Sequence, residues 1–163
     1  MIDHDLKVFD IEQREHRQIS LHPGWCKHDP EEIYSNFNEC IEVICKRNQL
    51  TKESLKSLAI TNQRETVVAI DRKSGKALHN AIVWLDKLTS IIVKHFEDKN
   101  GGNLNIYGDI CSVPVNTNFS AMKMRWLIDH CPEVKTCHED GSLLFGTIDT
   151  WLIYVIINSL SNI

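Results

Sequence analysis

The sequence predicts an α/β fold whose strands are covered on both faces. Three patterns carry that expectation. Val67-Val68-Ala69-Ile70 and Ala81-Ile82-Val83-Trp84 are unbroken apolar runs, as strands sandwiched between helices are, in a mixed α/β sheet. Ile33, Phe37, Cys40, Ile41, Ile44 and Cys45 recur at spacings of three and four, the period of a helix that buries one face. Between Ser120 and His130, apolar residues stand at 121, 122, 124, 126, 127 and 128, too wide a stripe for a surface helix.

In chain order, Leu6, Val8 and Phe9, the polar run 12–17, and Ile19 with Leu21 read as a hairpin, broken by His22-Pro23-Gly24. Asp29-Pro30-Glu31-Glu32 is a helix start: a capping carboxylate, a proline whose missing N–H is no loss there, and two acids at the positive end of the dipole. That helix should run to about Lys46. A short helical turn over 51–56 leads to a strand at Leu58-Ala59-Ile60. Asp71 to Lys76 has turn chemistry and joins the two apolar runs into a second hairpin. Leu88 to Phe96 reads as a helix that Asn100-Gly101-Gly102 ends. Leu143-Leu144-Phe145 reads as a strand and Asp149 to Ile157 as a last helix.

The chain has 163 residues, 42% hydrophobic and 25% charged, enough for one real core without a metal or disulfide staple. A net charge of −4 gives no electrostatic footprint for nucleic acid. Met1-Ile2-Asp3-His4-Asp5 has neither the basic nor the apolar region of a secretory signal. The apolar run 151–157 is far short of the ~20 residues that span a bilayer. Six cysteines scattered through apolar segments read as reduced thiols in a cytoplasmic protein.

Thr61-Asn62-Gln63-Arg64-Glu65-Thr66 is a polar stretch between two apolar runs. It reads either as an ordinary surface loop or as a recognition element for hydroxyl groups. Arg64 offers donors in a fixed fork and an ionised Glu65 only acceptors, so the pair serves both sides of an alcohol. Neighbours in a strand point to opposite faces, so joint contact requires a local break there. Trp84 is either core or an apolar plate for the C–H face of a small polyol. Asp86 fits a cap for the helix near Leu88. His130-Cys131 with Cys137-His138 matches no usual structural zinc spacing, and no metal is expected. Neither familiar phosphate-cradling loop is present.

Four segments occur in one order: Thr61 to Thr66, Ala81 to Asp86, Phe119-Ser120-Ala121-Met122-Lys123-Met124-Arg125-Trp126-Leu127, and Leu144-Phe145-Gly146-Thr147-Ile148-Asp149-Thr150-Trp151-Leu152. Pro23-Gly24-Trp25 followed by Asp29-Pro30 agrees with them. Together they resemble the FGGY carbohydrate kinase family, its glycerol kinases in particular, over residues 8 to 155. The resemblance implies an actin-like (ribonuclease-H-like) N-terminal domain, of which residues 1–163 would be part. It implies ATP-dependent phosphorylation of glycerol to glycerol 3-phosphate, with ATP and Mg2+ as cofactors. By the same resemblance Arg64 and Glu65 would hold glycerol hydroxyls and Trp84 would wall its carbon chain. Asn118 stands where the family has a glycerol-contacting tyrosine, keeping polarity but losing the ring. Lys87-Leu88-Thr89 replaces the family's arginine-containing stretch after the tryptophan. Ile2-Asp3 runs almost directly into Leu6-Lys7, without the family's Gly-Thr phosphate hairpin, and neither the family's catalytic aspartate nor its ATP-binding domain is in the sequence. The chain is therefore expected to be silent by itself as a kinase. The alternatives are a non-catalytic polyol-binding or interaction module, or a kinase for another polyol or sugar. The apolar run 151–157 is expected to favour self-association.

Overall fold

The computed structural model describes residues 1–160. Its centre is a four-stranded antiparallel sheet of β1 (Lys27–His28), β2 (Val67–Asp71), β3 (Ala81–Ile82) and β4 (Leu143–Thr147), in the order β1-β3-β2-β4. β2 pairs with β4 from Val67 opposite Thr147 to Asp71 opposite Leu143. Its alternating side chains supply two cores, as period two requires. Val67 and Ala69 pack with Ile82, Leu88, Leu127, Cys131 and Val134. Val68 and Ile70 pack with Ala81, Ile148, Trp151 and Leu152. Both faces of β2 are therefore buried, as its unbroken run predicts. The pairing is antiparallel throughout rather than mixed.

Helices α1 (Pro30–Arg47) and α6 (Ile148–Leu160) cover one face, and α4 (Ser120–His130) and α5 (Pro132–Glu139) the other. α2 (Ser90–Lys99) and the single turn α3 (Gly108–Cys111) lie between β3 and α4 in the chain. α1 begins as its sequence dictates: the Glu31 N–H donates to Asp29 Oδ1 at 2.9 Å, with Pro30 in the first turn. The buried Trp151 indole N–H donates to the Pro30 carbonyl at 3.1 Å, tying α6 to the start of α1.

Three expectations fail locally. The hairpin over residues 6–21 does not form; only single pairings, Ile2 with Val8 and Ile19 with Lys27, are present. The polar run between them bonds to α1 instead: Asp10 and Glu12 with Arg47, Arg14 with Glu39 at 3.1 Å, Arg17 with Glu32 at 3.1 Å. Leu58-Ala59-Ile60 is not a strand. It lies beside α6, where Leu58, Ile60, Ile153, Ile156 and Ile157 line an open apolar groove of about 250 Å³. Asp86 does not cap α2, whose first turn follows Thr89 without a side-chain bond. Its buried carboxylate accepts instead from the amides of Cys26 and Leu88, fastening β3 to β1. The sequence reading also lacked α5, an eight-residue helix started by Pro132.

Candidate substrate-binding site

Segment 61–66 is not an ordinary surface loop, because four elements hold it. The Asn62 side-chain amide donates to Asp149 Oδ1 in the first turn of α6 at 2.6 Å. Gln63 Nε2 donates to His28 Nδ1 on β1 at 2.9 Å. Thr66 Oγ1 accepts from the Trp84 N–H at 3.2 Å, just beyond β3. Glu65 Oε2 accepts from both the amide (2.7 Å) and hydroxyl (2.6 Å) of Ser120, the first residue of α4.

Glu65 has φ of +63°, a left-handed conformation that a non-glycine residue adopts only where its surroundings impose it. This is the break that the paired roles of Arg64 and Glu65 require, since it ends the strand alternation between them. The device that holds it is Lys123, one turn into α4 and fully buried. Its ammonium donates to the Glu65 carbonyl at 2.7 Å and also to the Asn118 carbonyl. One nitrogen thus joins the turn to the chain entering α4.

The charges follow from this geometry. Burial raises the Glu65 carboxyl, but the two Ser120 bonds, Lys123 and Arg64 outweigh it, so Glu65 is held below the usual carboxylate value. Glu65 is therefore ionised at neutral pH. It caps α4 from a distance, because Phe119 at the N-cap position has no side chain able to accept. Burial pushes Lys123 down to about 8, against the pull of Glu65 and Asp86. Burial also raises Asp86, despite its two amide bonds. His28 is pushed down to about 4, first by burial and then by His16, against a smaller pull from Glu32. It is neutral at pH 7, with Nε2 facing Gln18 Oε1 at 2.8 Å and Nδ1 facing both Gln63 and His16.

The four residues read from the sequence fall as follows. Arg64 is exposed beside Glu65, close enough for its charge to lower that carboxyl. Glu65 uses one oxygen on Ser120, and an ionised carboxylate has acceptor capacity left on the other. Asn118 is half-buried, and its side-chain oxygen is buried without a partner. Trp84 is 47% exposed and reaches the turn through its main-chain N–H, not its indole. Glu65 and Asn118 are thus brought together at Lys123, while the Trp84 main chain is bonded to Thr66, the residue after Glu65. Ser120, Lys123, Thr66 and the His28–Gln63 pair were missed in the sequence reading. Only Lys123 carried a signal, as one of two cations, with Arg125, set among the apolar residues of α4.

Nucleotide phosphates do not fit the first turn of the chain. Asp3 Oδ1 accepts from the amides of Asp5 and Lys7, each at 2.9 Å. A carboxylate therefore fills the amides that a phosphate would take, and Asp5 adds a second negative charge. Among the described residues no group of three or more His, Cys, Asp or Glu side chains is placed to hold a metal ion. No described helix is long and apolar enough to cross a membrane.

Comparison with known proteins agrees with this architecture. Residues 1–161 match the N-terminal domain of the FGGY family of carbohydrate kinases. Glycerol kinase of Acidiphilium cryptum is 42% identical over 147 residues, 90% of this chain and 29% of that protein. Glycerol kinase of Saccharopolyspora erythraea is 42% identical over 155 residues, 94% of this chain and 30% of that protein. The crystal structure of Plasmodium falciparum glycerol kinase with ADP superposes with a TM-score of 0.75 at 39% identity, covering 94% of this chain and 30% of that one. A xylulose kinase from Lactobacillus acidophilus, at 18% identity and a TM-score of 0.72 over 94% of this chain and 29% of that one, shares the fold. The chain thus spans about 30% of the length of the curated relatives it matches.

Proposed function

Because the chain belongs to the FGGY family of carbohydrate kinases as its N-terminal domain, we propose that it supplies the polyol half of an ATP-dependent glycerol kinase site in the cytoplasm. In this reading the whole enzyme converts glycerol to glycerol 3-phosphate. Arg64 donates to one glycerol hydroxyl and the free oxygen of Glu65 accepts from another. The exposed face of Trp84 covers the carbon chain, and the half-buried Asn118 lies at the edge. The donor ATP and its Mg2+, which supply the phosphoryl group and neutralise its charge, find no fitting residues in the Asp3 turn. They are assigned to other parts of the kinase, and the isolated chain is expected to bind without turning over.

The observation that supports this most is the left-handed turn at Glu65, which gives two adjacent side chains of opposite hydrogen-bonding character one address at the head of α4. The test is a glycerol titration followed by thermal melting and calorimetry. Glycerol at one hundred times its dissociation constant should stabilise the chain by about 2.7 kcal/mol. Glu65→Gln should abolish most of that shift. No stabilisation by glycerol, with the chain folded, refutes the proposal. ATP-dependent formation of glycerol 3-phosphate by the isolated chain would refute the assignment of the nucleotide elsewhere.

A second reading rests on Asn118. Its side-chain oxygen is buried and unpartnered, an acceptor in want of a donor, and rotation of this half-buried amide toward Glu65 would present it to a polyol with one more hydroxyl than glycerol. A larger shift with a four- or five-carbon polyol in the same titration favours this substrate over glycerol.

A further inference from the structure

We infer that Lys123 is a positioning residue for the polyol site: its buried ammonium, by donating to the carbonyls of both Glu65 and Asn118, sets the turn that presents Arg64 and Glu65. The inference rests on the proposed site for its function but on the hydrogen bonds alone for its geometry.

A lysine with no exposed surface is uncommon unless its charge is compensated. Here the compensation comes from main-chain carbonyls and from two carboxylates. Glu65 faces the ammonium from the turn, and Asp86 from the loop after β3. Arg64 beside Glu65 and Lys27 beside Asp86 are the further charges in this set. The two carbonyls belong to residues 53 positions apart in the chain, so no local turn can hold them together. Both lie within hydrogen-bond reach of one nitrogen. A left-handed Glu65 with its carbonyl unbonded would have no reason to persist, since the extended conformation relieves its side chain. Once the ammonium binds that carbonyl, relaxing the turn would leave a buried cation short of a partner. Lys123 touches no substrate atom in this account. It acts through the main chain of two residues that do.

The experiment has two arms on the full chain. In the first, carbonyl resonances of Glu65 and Asn118 are followed by carbon NMR as pH is raised from 6.5 to 10, values chosen to bracket the Lys123 pKa of about 8. Both should move with one common midpoint near 8, and the wild-type chain suffices, so the result does not depend on a variant folding. In the second arm, Lys123→Met is compared with wild type. Its Glu65 carboxyl should titrate at higher pH than in the wild type, and its affinity for glycerol should fall about tenfold, the weight of one charge-assisted hydrogen bond. Independent titration of the two carbonyls, or a folded Lys123→Met chain with the Glu65 titration and glycerol affinity of the wild type, overturns the inference. If the wild type binds no polyol, the proposed function fails while the carbonyl titration still decides the role of Lys123.

Discussion

Replacing Glu65 separates two opposed contributions of this residue to stability. The residue does opposite things for stability. Its carboxylate satisfies the Ser120 amide and hydroxyl at the start of α4, where Phe119 provides no cap. Its backbone sits at φ +63°. Loss of a capping side chain costs about 1 kcal/mol, and loss of a negative charge at a helix N-terminus costs about 0.3–1 kcal/mol more. Glu65→Ala removes both and keeps a Cβ in the left-handed region, so it should destabilise the chain by about 1.5–2 kcal/mol. Glu65→Gly removes the same bonds but relieves the left-handed strain, and should recover about 1 kcal/mol of that loss. Glu65→Gln keeps an acceptor without its charge and should fall between wild type and alanine. Urea denaturation read by tryptophan fluorescence measures all three. The pH dependence has a definite sign, because the folded carboxyl is depressed. Its contribution is complete above the unfolded value of 4.5 and is lost as pH falls through the lower folded value. The gap between wild type and alanine should close in that acid range. Equal stabilities for alanine and glycine would show that the turn stores no strain. An alanine variant as stable as wild type at pH 7 would show that Glu65 caps nothing.

Three further outcomes follow from the same structure. His28 is 3% exposed, and its folded value of about 4 lies below the ordinary value of 6.5, so the unfolded chain binds the extra proton; stability should fall by about 3 kcal/mol between pH 6.5 and 4. Urea midpoints across that range should show the slope in wild type and lack it in His28→Asn. Trp151→Phe removes the indole donor to Pro30 and some buried volume, and should cost about 2–3 kcal/mol by urea melting; a loss within error would mean that α6 is not tied to α1 there. Light scattering should show concentration-dependent association through the apolar groove, where Ile153 and Ile157 are 47% and 56% exposed, and Ile153→Lys with Ile157→Lys should suppress it; association unchanged in that double variant would exclude the groove.

What the sequence made legible was local chemistry. Asp29-Pro30-Glu31-Glu32 marks the start of α1 because cap, proline and acids act within one turn. The bounds of α4, Ser120 and His130, agree with its apolar stripe. The run 67–70 reads as a doubly covered strand because a burial of both faces leaves no polar alternation. The failures are contests between local pattern and distant partners. Leu6, Val8, Phe9, Ile19 and Leu21 carry a hairpin pattern, but ion pairs with α1 claim the polar run between them. Leu58-Ala59-Ile60 has strand composition, yet lies against α6 instead of joining the sheet. α5 is only eight residues long with a single fully buried side chain, Val134, so its periodicity is too short to stand out.

The site divides along the same line. Arg64, Glu65 and Trp84 are recognisable by residue type, because only certain side chains can serve an alcohol's donor, acceptor and carbon skeleton. Whether they are presented together depends on the left-handed turn at Glu65, just ahead of β2, and nothing in Thr61 to Thr66 dictates that turn: there is no glycine and no proline in it. The turn is held from residues 55 and 58 positions further on, by Ser120 and Lys123. A helix capped by the Glu65 carboxylate has its first turn secured only when that carboxylate is in place. The turn, for its part, is secured by the ammonium that the helix carries to it. Recognition chemistry and fold therefore complete each other at one junction. That is why a polar hexapeptide with neither glycine nor proline takes a fixed left-handed turn here.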